Sequence, residues 1–133
     1  MSDTIRGKNM KILHSGLTCQ TEENADKFYQ ELLGLTKSQP KILPESLSQA
    51  IFNIASDLKM INYMNDKCHF EIFIHDQKKT NAGIIEHTCL EVENRDDFLN
   101  RCQSLGIKIN RIPKGDKNLV FIFDFDGNLF EIK

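Results

Sequence analysis

The tripeptide Phe-Glu-Ile occurs twice in this chain, at Phe70-Glu71-Ile72 and at Phe130-Glu131-Ile132, each time within a run of alternating character. A carboxylate set between strand hydrophobes and used twice in 133 residues points to an internal duplication. The second copy follows Asp126-Gly127, a tight-turn dipeptide between the apolar runs Asn118–Phe125 and Leu129–Ile132. A hairpin there sets the register of the last strand, so that Leu129 and Glu131 point one way and Phe130 and Ile132 the other.

The rest of the chain reads as two rounds of one pattern. Met10–Cys19 is a strand with Ile12, His14, Gly16 and Thr18 on one face and Leu13, Ser15, Leu17 and Cys19 on the other. Thr21 caps a helix with Glu22 and Glu23 in its first turn, an apolar stripe of Ala25, Phe28, Tyr29, Leu32 and Leu33, and Gly34 as its stop. Leu35–Leu43 is extended and interrupted by Pro40. Pro44–Ala55 fits a short helix opening at Pro44, with a strand through Ala50–Ile54 as the competing assignment. Leu58–Met64 and Cys68–His75 are the next strands. In the latter, Phe70, Ile72 and Ile74 face inward, Glu71, Phe73 and His75 face the other way, and His69 is assigned to the face opposite Glu71.

Asp76–Ala82 is a polar linker, after which the order begins again. Ile84–Glu93 is a strand carrying His87. Asn94 caps a helix with Asp96 and Asp97 in its first turn, Phe98, Leu99, Cys102 and Leu105 as its buried stripe, and Gly106 as its stop. Ile107–Ile112, Leu119–Asp124 and Asn128–Ile132 complete the strands. Ile12-Leu13-His14 matches Ile85-Glu86-His87, and Leu33-Gly34-Leu35 matches Leu105-Gly106-Ile107. The expected fold is α+β: paired βαβββ modules forming a cupped, half-open barrel. A single domain over residues 10–133 is expected, module 1 at about 10–76 and module 2 at about 83–133, behind a mobile leader at 1–9.

Composition narrows the function classes. A net charge of −2 and the lack of any Lys/Arg cluster beside exposed aromatics argue against a nucleic-acid partner. No apolar run reaches the ~20 residues of a membrane span, and the leader lacks the apolar core of a signal peptide. Cys19, Cys68, Cys89 and Cys102 form no Cys-x-x-Cys pair, so a reducing, cytoplasmic location is expected.

Each half carries a His in its first strand and a Glu in its last. Alternation turns His14, Glu71, His87 and Glu131 away from the helix side and into the cup. Two imidazoles and two carboxylates converging there suit a divalent first-row metal, since imidazole suits Zn, Ni, Co and Fe and the carboxylates add negative charge and hard oxygens. In a sheltered cup, two carboxylates without a cation would each cost several kcal/mol of desolvation. His75 shares the Glu71 face nearer the rim, as an inconsequential edge residue or a substrate contact; Thr18 and Phe73 are the other expected substrate contacts.

With these marks the sequence resembles the vicinal oxygen chelate superfamily, which holds glyoxalase I, extradiol dioxygenases, methylmalonyl-CoA epimerase and the fosfomycin and bleomycin resistance proteins. The resemblance runs from Lys11 to Lys133. It rests on Ile12-Leu13-His14, the stretch from Lys27-Phe28-Tyr29 to Leu33-Gly34-Leu35, Glu86-His87-Thr88, and Asp124-Phe125-Asp126-Gly127-Asn128-Leu129-Phe130-Glu131. The last is similar to the superfamily's Asp-Pro-Asp-Gly-x-x-x-Glu, with Phe125 in place of Pro. The His, Glu, His, Glu set resembles glyoxalase I most closely. Glutathione-dependent members carry an Arg where this chain has Thr18 and an Asn where it has His75.

The resemblance implies a homodimeric lyase or isomerase acting on a small molecule with vicinal oxygens. Such an enzyme would use a divalent ion, with Glu131 and Glu71 as catalytic carboxylates that remove a proton beside a carbonyl through an enediolate. The alternatives are a metal-dependent binding module of the resistance type, or an Fe(II) dioxygenase or epimerase of the same superfamily.

Overall fold

The computed structural model describes residues 10–76 and 83–133; the expected leader and most of the expected linker lie outside the described residues. The first sheet is built from β1 (Ser15–Cys19), β2 (Thr36–Lys37), β3 (Lys41–Leu43), β4 (Leu58–Met64) and β5 (His69–Ile74). Its order is β1-β5-β4-β2, with β3 also on β4. The second sheet holds β6 (His87–Leu90), β7 (Ile109–Lys114), β8 (Lys117–Phe123) and β9 (Leu129–Ile132) in the order β6-β9-β8-β7. In both sheets the first strand lies parallel to the last and all other pairs are antiparallel. The expected duplication of βαβββ units is therefore present.

Three helices complete the described residues. Helix α1 (Glu22–Ala25, continued over Asp26–Leu32) is capped by Thr21, which accepts a hydrogen bond from the Asn24 amide at 3.1 Å, and Glu22 and Glu23 occupy its positive end. After one α-turn, Glu22–Ala25, the helix continues with π-type winding over Asp26–Leu32, closed by a bond from the Leu33 amide to the Phe28 carbonyl. Helix α2 spans Glu45–Phe52, with Pro44 just ahead of it, which settles the ambiguous stretch in favour of helix. Helix α3 spans Arg95–Ser104 and is capped by Asn94, whose side chain accepts from the Asp97 amide. Gly106, at φ +78°, takes the left-handed conformation that stops it.

The two modules differ in one respect. In module 2, β7 and β8 are joined by a tight turn at Gly115-Asp116, whereas module 1 inserts α2 at the corresponding place. The expected strand Leu35–Leu43 is two short strands flanking Pro40, which has no N–H for a ladder. The first strand is shorter than expected, leaving His14 immediately ahead of β1.

One core serves both sheets. Phe28, Tyr29 and Leu32 of α1, Phe98, Leu99 and Cys102 of α3, and the inward residues of both sheets belong to a single buried cluster. Phe130 of β9 lies between the halves, with ring centroids 5.2 Å from Phe28, 6.3 Å from Tyr29 and 5.9 Å from Phe70. Burial of Cys102 in this core pushes its thiol up to about 11, against a smaller opposing influence of Arg101.

A polar hub also joins the halves. Asp124, at the end of β8, accepts from the Tyr29 hydroxyl at 2.8 Å and the Asn128 side-chain amide at 2.7 Å. Its other oxygen accepts from the backbone amides of Asp126 and Asn128 at 2.9 and 2.8 Å, holding the turn before β9. Asn128 donates in turn to the Thr18 carbonyl at 3.0 Å, and the Cys19 thiol lies 3.7 Å from Asp124. Burial first, and the Asp124 carboxyl second, push both Tyr29 and Cys19 well above their ordinary pKa values. Asp124→Ala leaves the Tyr29 hydroxyl and the Asn128 amide buried without this partner and is expected to cost at least ~3 kcal/mol of stability, against ~1–2 for Tyr29→Phe. Urea unfolding measures both, and a loss below ~1 kcal/mol for Asp124→Ala would contradict this role.

Candidate functional site

In a strand, the neighbours of a buried residue face the opposite side, and that rule locates the site. Phe70 and Ile72 are buried in β5, as are Phe130 and Ile132 in β9, so Glu71 and Glu131 stand on the faces turned from the core. In module 1, Ser15 pairs with Phe70, which puts His14 one step earlier, beside His69, and Glu71 two residues beyond. In module 2, His87 pairs with Leu129 and Glu131 again lies two residues beyond. The two His–Glu pairs thus occupy the same register in both repeats.

The distances agree. His14 Nε2 is 3.6 Å from Glu71 Oε1, and His87 Nε2 is 3.9 Å from Glu131 Oε1. The imidazoles are 46% and 40% exposed and the carboxylates 21% and 17%, so each pair is open on the His side and sheltered on the Glu side. Within one chain, however, the four do not converge. Among the described residues, no group of three or more His, Cys, Asp or Glu side chains could hold a metal ion. The expectation of a four-residue cluster in a single-chain cup is corrected to two separate pairs, one on each sheet, because both sheets turn their helix sides toward the shared core.

The donor chemistry of a pair fits a metal. His87 Nδ1 lies 2.8 Å from the Ile85 carbonyl. A carbonyl only accepts, so Nδ1 carries the proton, and in the neutral ring Nε2 presents its lone pair toward the Glu131 carboxylate. Two such donors facing each other can share a cation, and a backbone carbonyl orienting the far nitrogen is a common support for a metal-bound histidine.

Beside the first pair lies a cleft of about 550 Å³. His14, Glu71, Thr18, Phe73 and His75 all line it, which brings the expected substrate contacts together with one of the two pairs. Phe52, Ile54 and Leu58 form its far wall. Reasoning from the sequence did not single out that wall; the exposed apolar residues at the end of α2 were the available signal. His69 is a second correction. Residues two apart on a strand share a face, so it sits on the Glu71 side, with its ring 5.5 Å from that of His14 and Nε2 2.8 Å from Asn62 Oδ1.

The comparisons with known proteins bear on this arrangement. The profile of the Glyoxalase/Bleomycin resistance protein/Dioxygenase superfamily matches residues 11–132. No curated protein sequence matches the chain. Among solved structures, a glyoxalase family protein from Enterococcus faecalis superposes with a TM-score of 0.72 at 21% identity, covering 94% of this chain and 98% of that one. The fosfomycin resistance protein FosX from Listeria monocytogenes gives 0.68 at 17% identity, covering 92% and 91%. A variant of it has been solved with Mn(II) and 1S,2S-dihydroxypropylphosphonic acid. The trypanothione-dependent glyoxalase I of Leishmania major gives 0.65 at 16% identity, covering 93% and 86%. With nearly its full length matched and the paired modules in place, the chain belongs to the Glyoxalase/Bleomycin resistance protein/Dioxygenase superfamily.

Proposed function

We propose that this chain is a metal-dependent lyase or isomerase of the glyoxalase I type. It acts as a homodimer in which each site joins the His14–Glu71 pair of one subunit to the His87–Glu131 pair of the other. The observation that carries this reading is the repetition of one His–Glu pair at one register in both modules. Each pair supplies half of a four-donor set, and a twofold axis would give two complete sets per dimer. Ile12, Leu13 and Ile85, each more than two-thirds exposed, flank His14 and His87 and offer apolar surface for a second copy to cover.

The donors suit Zn or Ni, with Co, Mn or Fe as alternatives, and the Mn(II) complex of the FosX variant accords with a divalent ion. When bound, such an ion supplies positive charge that stabilises developing negative charge on a substrate with two vicinal oxygens. The remaining work falls to the chain. Glu131 takes the proton from the carbon beside the carbonyl and, once protonated, returns the same proton to the neighbouring carbon, with Glu71 able to serve the opposite face. Thr18, Phe73 and His75 hold the substrate on the Glu71 side. A cytoplasmic setting suits the free thiols of Cys19, Cys68, Cys89 and Cys102. No helix among the described residues is long and apolar enough to cross a membrane.

Elemental analysis of the purified protein tests the reading. About one divalent ion per chain is expected, lost in both His14→Ala and His87→Ala. Retention of the full metal content by either variant would remove that histidine from the ligand set.

A further inference from the structure

The cleft beside His14 and Glu71 has a chemical character of its own. Its described lining holds no Lys or Arg. Away from the His–Glu pair, Phe52, Ile54, Leu58 and Phe73 give it an apolar wall, with Thr18 and His75 as the polar members of that end. The rings of Phe52 and Phe73 meet edge to face, with centroids 5.1 Å apart, one from α2 and the other from β5. Phe52 remains 43% exposed, so this wall is open to an incoming group.

Between the pair and the wall lies Gly16. It sits on the same strand face as His14 and Thr18 and pairs with Glu71. Its φ is not among the positive values of the chain, so the backbone does not require glycine there. A Cβ at this position would meet only Phe73, at 3.7 Å, an ordinary contact. Glycine weakens a strand, and within one it often marks the close approach of a ligand. Here its missing side chain keeps open the passage from the His–Glu pair to the aromatic wall. The corresponding residue of module 2 is Cys89, and that module has no counterpart of α2.

We propose that the substrate carries, next to its vicinal oxygens, an uncharged apolar group of about the size of a phenyl ring. This group crosses Gly16 and lodges against Phe52 and Phe73, and these three residues set the selectivity of the site. The inference rests on the metal-dependent reading above for the position of the oxygens, and on the cleft alone for the apolar seat. It separates this protein's ligand from a phosphonate such as that bound by the FosX variant, because an anionic tail would find no ammonium or guanidinium among the described residues lining this cleft.

Two neutral chelators test it by calorimetry on the Mn(II)-loaded dimer, with metal content measured for every variant. Benzohydroxamic acid is expected to bind at least about tenfold tighter than acetohydroxamic acid, the phenyl ring supplying the difference. Gly16→Val should abolish that advantage, the benzohydroxamate affinity falling to that of acetohydroxamate in the same metal-loaded variant. Phe52→Ala should reduce the advantage about fivefold. Equal affinities in the wild type, or an advantage that survives Gly16→Val, would overturn the proposal. A metal-independent arm separates it from the wider reading. Benzyl alcohol should shift the amide resonances of Gly16, Phe52 and Phe73 in the wild type and not in Gly16→Val. Absence of those shifts overturns the apolar seat whether or not metal is taken up. Their presence in a protein that binds no metal supports the seat and removes the metal chemistry.

Discussion

Glu131→Gln is expected to leave the fold and the dimer intact and to lower turnover at least ~100-fold on the adduct of methylglyoxal with whichever thiol the protein accepts. The substitution keeps the shape of the side chain and removes its ability to take a proton. Its position in β9 is held by Phe130 and Ile132, which are buried on the other face and remain untouched. Glu131 is also proposed as a metal ligand, so metal content is measured beside the rate. A fall in kcat at full metal occupancy reports the proton transfer itself, whereas a fall that tracks metal loss reports ligation. Undiminished turnover would take Glu131 out of the role.

Mixing two inactive variants is expected to restore activity. His14→Ala and His87→Ala each damage one pair, so each homodimer has no complete site. In a mixed dimer of the proposed kind, one site combines both damaged pairs and the other combines both intact pairs. Random reassortment of equal amounts makes half of the dimers mixed, each with one working site of two, so about a quarter of wild-type activity should return. A site confined to one chain predicts none. The experiment therefore tests the shared site independently of the identity of the metal, and sedimentation of the wild type checks the dimer directly.

The repeat was legible in the sequence because each module is short and strongly patterned. Asn94 and Gly106 bound α3, Thr21 opens α1, and the alternation around Glu71 and Glu131 shows which face each residue takes. The π-type winding of Asp26–Leu32 left no such mark: Ala25, Phe28, Tyr29 and Leu32 fit an ordinary helical stripe, and all four are buried. Alternation assigns a face but not a meeting point, so the separation of the two His–Glu pairs could not be read from it. That separation follows from both modules packing their helix sides into one core, a long-range arrangement that local spacing does not encode. Asp124 was visible as part of a turn, but its bonds to Tyr29, 95 residues away, depend on that same packing.

Phe130 ties the two halves of the duplication to each other. Its ring is fully buried against side chains contributed by the other repeat. An ancestor with one module per polypeptide would have needed a second molecule to cover the equivalent position. In the present chain each half shields the other, and separating them would expose an apolar face on both fragments. A single covalent chain lets the halves differ, as they do at α2, without their parting.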